Sequence, residues 1–304
     1  MGASGAAFSA SIDTTTWDPL AAAPLDHATL ARTARAAGVR TDRVTPPFDE
    51  ELRELVLERV VESVDAALPP LIKGAVGPAE YGLIVGYELA RTRPGAKLTG
   101  EDERRLDERS DYDDAGPTFL LRTYFDRAPE PTRVGWDAFA GEGQGEPVFL
   151  DRAERPARET LAREAIALAV EGAPATGGAL RSWLEALRDE ARWTDPKHGG
   201  AAAFADHTMR TILADKRRSA ARYLRAIRGL LPPRSGADVL RAAEAYGRVA
   251  DGAERVGAGA FDPAVALRFV EGGQRRAWAN ALEAALAHEA EAHEALRGAH
   301  ASLR

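Results

Sequence analysis

The chain changes character near residue 150, and that change limits what it can fold into. Before it lie β-branched and aromatic runs, most of the prolines and the turn signals. After it come long stretches of alanine and leucine spaced by arginine and glutamate. A period of two and a period of 3.6 bury different faces, so such a chain needs a sheet-bearing part and a helical part. At 304 residues there is room for two average domains. The expectation is an α+β chain: residues 1–150 form an antiparallel sheet with packed helices, and residues 151–304 form an all-α helical bundle.

In the first part, Asp26 is placed to cap a short helix, HATLARTARAAG, and Gly38 to stop it. Residues 48–68 put Leu52, Leu55, Val56, Val60 and Val64 on one stripe, with Asp49 and Glu50 at the positive end and Pro69-Pro70 as terminator. The runs LIKGAV, YGLIVGYEL, TFLLRTYF and PVFLD then read as strands, with Phe119, Leu121 and Thr123 sharing a face. The charged run at 100–116 reads as a solvated loop. Beyond residue 150, helices are expected over 157–172, 177–193, 202–231, 236–256 and 262–303, the last broken at Gly272-Gly273. Short polar links favour a bundle.

Composition excludes several functions. There is no cysteine, hence no disulfide, thiolate metal site or cysteine nucleophile. A net charge of -7 argues against nucleic acid as partner. No apolar run reaches the roughly 20 residues of a membrane helix, and the opening residues lack the pattern of a signal peptide. A cytoplasmic protein without membrane contact is the expectation.

PPLIKGAVGPAEYGLIVGYE (69–88), followed by FLLRTYFD (119–126), resembles the papain-like and C39-peptidase-like group of cysteine enzymes. Within that group it looks most like a bacterial branch related to the BtrH-type acyltransferases of antibiotic biosynthesis. The residues that carry the likeness are Gly77, Pro78, Glu80, Gly82, Gly86 and Tyr87, then Trp136; Ala79 and Glu88 depart from the pattern. The opening SGAAF and the helical segments GGALRSWLEALRDEA and KRRSAARYLRAI are similar to other parts of that branch. The resemblance implies a papain-like sheet and a cleft. In that group the catalytic histidine stands six residues before the glycine of Val-Gly-Tyr, a place held here by Glu80. The residue that orients the histidine corresponds to Thr123, and the cysteine has no counterpart. Ser4, Ser9 and Ser11 are the nearby hydroxyls, but a serine needs a stronger base than Glu80 alone.

The resemblance thus implies a pseudoenzyme that binds a small acyl or peptidyl ligand or a protein partner, in the setting of bacterial secondary metabolism. The competing reading is a non-cysteine acyl or amide hydrolase or transferase working through Glu80 and nearby hydroxyls. Candidate ligand-binding residues are Glu80, Tyr81, Tyr87, Arg122, Tyr124 and Trp17; equally, Glu80 could be an ordinary loop carboxylate accepting backbone N–H bonds. A structural homo-oligomer assembled through the helical half is a third reading.

No cofactor or metal is expected. His288 and His293 are five apart, about 140° around a helix, whereas paired helix ligands stand four apart. Asp111, Asp113 and Gly116 hint at a calcium loop, but Ala115 and Arg122 occupy ligand positions. GEGQGE lacks the third glycine of a dinucleotide loop. KRRSAARYLR (216–225) reads as a solvated, ion-paired face, with Arg218, Arg222 and Arg225 aligned and Asp215 one turn before. Trp183, Trp193 and Trp278 read as packing residues.

Overall fold

The computed structural model describes residues 2–18, 26–73, 81–88, 117–123, 129–135, 145–193, 199–257 and 268–304. The chain divides into two units: Gly38–Glu154, and Met1–Ala37 together with Arg155–Arg304. The first 37 residues, grouped with the sheet in the sequence reading, therefore belong to the helical unit. The reason is apolar: Ala7 and Phe8 sit in the helical core, with Ala10, Ile12 and Trp17 packed beside it.

The sheet unit contains β1 (Val39–Arg43), α1 (Glu50–Asp65), β2 (Leu71–Lys73), β3 (Tyr81–Glu88), β4 (Thr118–Thr123), β5 (Thr132–Gly135) and β6 (Glu146–Arg152). All pairings are antiparallel, in the order β1-β6-β2-β3-β4-β5. Strands β2 to β5 form a meander, and β6 returns to lie between β1 and β2. Helix α1 starts where Asp49 Oδ1 accepts the N–H of Leu52 at 2.8 Å, with Glu50 and Glu51 in the first turn. It lays Val56 and Val60 on Ile72, Ile84, Phe119, Leu121 and Phe149. Leu55, expected on that stripe, is 48% exposed. The buried line runs through positions four apart, and Leu55 falls a step to its side. Strands β1 and β5 escaped the sequence reading because VRTDR and TRVG hold one apolar residue each.

The helical unit opens with an irregular leading segment, residues 2–18, then α2 (His27–Ala36), capped as expected by Asp26. Four long helices follow: α3 (Arg158–Arg188), α4 (Gly199–Ile227), α5 (Pro233–Arg255) and α6 (Gly273–Ala301). Helix α5 packs on α4 and α6, and α6 also on α3. Many facing residues are alanines, so backbones approach closely. Two helices were expected over 157–193, yet α3 runs unbroken through Pro174. Burial of Ala173, Thr176 and Leu180 against the core outweighs the local breakers. No helix among the described residues is long and apolar enough to cross a membrane.

Candidate functional site

Glu80, Tyr124 and Trp136 lie outside the described residues, as do Gly77 and Pro78. Tyr81 and Tyr87, six apart, would share a face in a regular strand. A bulge between Ile84 and Gly86 reverses the parity. Gly82 pairs with Thr123 and Tyr87 with Phe119, so Thr123 and Tyr87 face α1, whereas Tyr81 points to the opposite side. Arg122 pairs with Leu83 and shares the side of Tyr81. The two tyrosines are therefore not brought to one cleft.

Tyr87, Arg122 and Trp17 also have local partners. The Tyr87 hydroxyl donates to the Asp65 carboxylate at 3.1 and 3.2 Å, and that carboxylate raises the pKa of the phenol. The Arg122 guanidinium donates to the carbonyls of Glu130, at 3.2 Å, and Pro129. Trp17 packs edge-on against Trp193 in the helical unit, 4.9 Å between centroids. The motif glycines answer to packing. A Cβ at Gly82 would lie 2.9 Å from the Arg122 carbonyl oxygen, and one at Gly86 2.9 Å from Leu120 Cδ1.

The polar chemistry that the sequence reading missed lies inside the helical unit. Asp206 is fully buried; it accepts from Trp183 Nε1 at 2.8 Å and from Arg210 Nε at 2.7 Å. Burial pushes its carboxyl up to about 6, against the pull of the Arg210 guanidinium. Arg210 also donates to the carbonyl of Val256 at 2.5 Å. This cluster is well bonded and ties α4 to its neighbours.

A second cluster is not. Arg217, Glu289, Tyr246 and His293 are between 0% and 6% exposed. Arg217 Nε donates to Glu289 Oε1, while its Nη1 donates to the carbonyls of Ala7 at 2.8 Å and Ser9 at 3.2 Å. Four buried atoms have no partner: Arg217 Nη2, Glu289 Oε2, His293 Nε2 and the Tyr246 hydroxyl. Glu289 Oε2 and His293 Nε2 are 3.6 Å apart, too far for a hydrogen bond. Burial raises the Glu289 pKa against Arg217, and burial, then the Arg217 charge, drives His293 down to about 4. A neutral imidazole beside an ion pair results. A cation is poorly suited to this place, because the guanidinium repels it; among the described residues no three His, Asp or Glu side chains converge on a metal position.

The sequence signal for this cluster is a charge on an apolar stripe. Met209, Leu213, Arg217, Ala220 and Leu224 follow steps of three and four, as do Leu282, Ala285, Glu289, Ala292 and Leu296. The basic run 216–225 is thus only partly solvated. Arg218 pairs with Glu254 and Asp251, whereas Arg217 is buried and Lys216 nearly so. His293, read as one of a solvated row, is buried, while His288 contacts Arg248 nearer the surface.

Two openings border the leading segment. A cleft of about 330 Å³ lies between Ala3, α2 and α3, but its cations are engaged: Arg35 with Glu164 at 2.6 Å, Arg32 with the Ser4 carbonyl at 2.9 Å. A small indentation separates Ala10, Ser11 and Ile12 from Met209, Leu213 and Lys216 of α4. Comparison with protein-family models finds no match, and comparison with curated proteins finds none either.

Proposed function

We propose that the protein binds its ligand without transforming it. In this reading the sheet unit is a papain-like frame whose thiol chemistry has been lost, and the ligand is a small acyl or peptidyl molecule or a segment of a partner protein. The observation that carries the reading is the absence of cysteine from all 304 residues, which removes the nucleophile on which the resembled group depends. Placement of the hydroxyls agrees with it. The Tyr87 hydroxyl is held by Asp65, and Ser9 Oγ donates to the carbonyl of Ala6 at 3.1 Å. A role among acyl or peptidyl intermediates of bacterial secondary metabolism rests on the resemblance. Fold and chemistry are separable, so a cleft can outlive its reaction.

The test is a paired measurement on the whole chain. Acyl thioesters and short peptides are offered, and both retention and turnover are followed. Retention without turnover, weakened by Glu80→Gln, is expected. Turnover that Glu80→Gln abolishes would replace this reading with that of a hydrolase or transferase working through Glu80.

A further inference from the structure

Besides the apolar contacts of Ala7, Phe8, Ala10, Ile12 and Trp17, the leading segment is held to the helices through its backbone. Arg32 takes the carbonyl of Ser4 at 2.9 Å, Arg217 those of Ala7 and Ser9, and Arg192 that of Thr14 at 2.6 Å; the N–H of Ala10 donates to Thr176 Oγ1 at 3.4 Å. The one large side chain between residues 4 and 10 is Phe8, set 5.9 Å from the ring of Tyr246 and 6.4 Å from that of Tyr223. The neighbours of Phe8 are small: Ser4, Gly5, Ala6, Ala7, Ser9 and Ala10. Such a segment is recognised as a backbone path with one aromatic anchor, a mode that other segments of like pattern can satisfy.

The fit is incomplete. Beneath the segment, Arg217 Nη2, Glu289 Oε2, His293 Nε2 and the Tyr246 hydroxyl remain buried without partners, and a gap persists between Ile12 and Met209. Buried polar groups are ordinarily bonded, and each unpaired one costs free energy. An occupant with a hydrogen-bonding side chain beside its aromatic residue would meet groups that the chain's own segment leaves unmet.

We propose that the groove beneath residues 4–14 is a peptide site, filled here by the chain's own leading segment and open to a partner protein's segment that carries one aromatic residue among small and polar ones. This goes beyond the binding reading of the sheet unit and stands on separate observations. It places the bound partner on the helical unit, independently of Glu80.

The probe is a fluorescein-labelled peptide of residues 2–14 added to the full chain. The tethered segment competes at high effective concentration, so the wild-type chain should bind the peptide weakly. Phe8→Ala in the chain removes the anchor of the competitor and should tighten peptide binding at least tenfold, while the same change in the peptide should abolish it. A Phe8→Ala chain with unchanged circular dichroism that ignores the peptide would overturn the proposal. So would exchange of segments between copies, seen as a dimer by light scattering, without capture of free peptide. Hydrogen exchange on the wild-type chain serves even where the variant does not fold. The Phe8 and Ala10 amides should exchange at least tenfold faster than core amides of α4 and α6. Exchange only together with those helices would mark a permanent part of the core and overturn the proposal. Retention of a small acyl molecule alongside a failed peptide test removes this inference and leaves the binding reading intact.

Discussion

Replacing Glu289 by leucine tests the energetic reading of the helical interior most sharply. The carboxylate is 1% exposed and supplies the acceptor for Arg217 Nε. Its loss leaves a fully buried guanidinium whose remaining acceptors are the carbonyls of Ala7 and Ser9. Removing one partner of a buried pair costs about 3–5 kcal/mol. At roughly 2–4 °C per kcal/mol for a domain of this size, the melting temperature should fall by roughly 6–20 °C. Arg217→Met alone should cost a similar amount, because Glu289 is then stranded. The double variant should cost far less than the two losses together. Its main residue is the buried Ala7 carbonyl left without a donor, worth about 1–3 kcal/mol. Urea unfolding followed by tryptophan fluorescence is the assay. Of the five tryptophans, Trp17, Trp183, Trp193 and Trp278 all lie in the helical unit. A Glu289→Leu loss below about 1 kcal/mol, or strict additivity in the double variant, would refute a tightly coupled buried pair.

Other outcomes depend on single contacts. His293 should titrate near pH 4 in NMR spectra of the folded protein rather than near 6.5, and a midpoint above 6 would contradict its burial beside Arg217. Because its folded pKa is depressed, the unfolded chain takes up the proton first. His293 therefore withdraws stability as pH falls from 6.5 toward 4, and His293→Gln should flatten that part of the stability curve. Asp206 has the opposite sign: its raised pKa withdraws stability as pH rises from 3.8 toward about 6. Trp183→Phe removes a donor from buried Asp206 and should cost about 1–3 kcal/mol in urea unfolding; a neutral result would mean that the indole bond is dispensable. Gly82→Ala sets a Cβ against a backbone oxygen that cannot step aside, and should cost about 1–3 kcal/mol in the sheet unit. Its readout is the thermal transition by far-ultraviolet circular dichroism, and an unshifted transition would show that β3 and β4 yield there.

The mixed architecture was legible because its signals are local. Asp26 caps the helix it was expected to cap, Asp49 and Glu50 stand at the start of the next as expected, and the strands holding Ile84, Phe119 and Phe149 follow their apolar runs. What escaped depends on distant partners. VRTDR becomes β1 only by pairing with β6, and Pro174 stays helical only because its neighbours are buried. The candidate site suffered from the same limit. A bulge that turns Tyr87 away from Tyr81 is marked in the sequence only by Gly86, and a lone strand glycine does not fix whether or where the register shifts. Arg217 and Glu289 stand in the sequence as charges on apolar stripes, but the first lies within a dense run of charge at 216–225 and the second in a helix whose His288, His293 and His300 form a polar row.

Binding without turnover is tested most directly by native mass spectrometry of the full chain purified from its own host. The expected spectrum contains a non-covalent adduct of unaltered ligand, which is lost on denaturation and diminished in competition with added acyl or peptidyl analogue. A covalent acyl intermediate on any side chain, or steady release of cleaved product from that adduct, would contradict it.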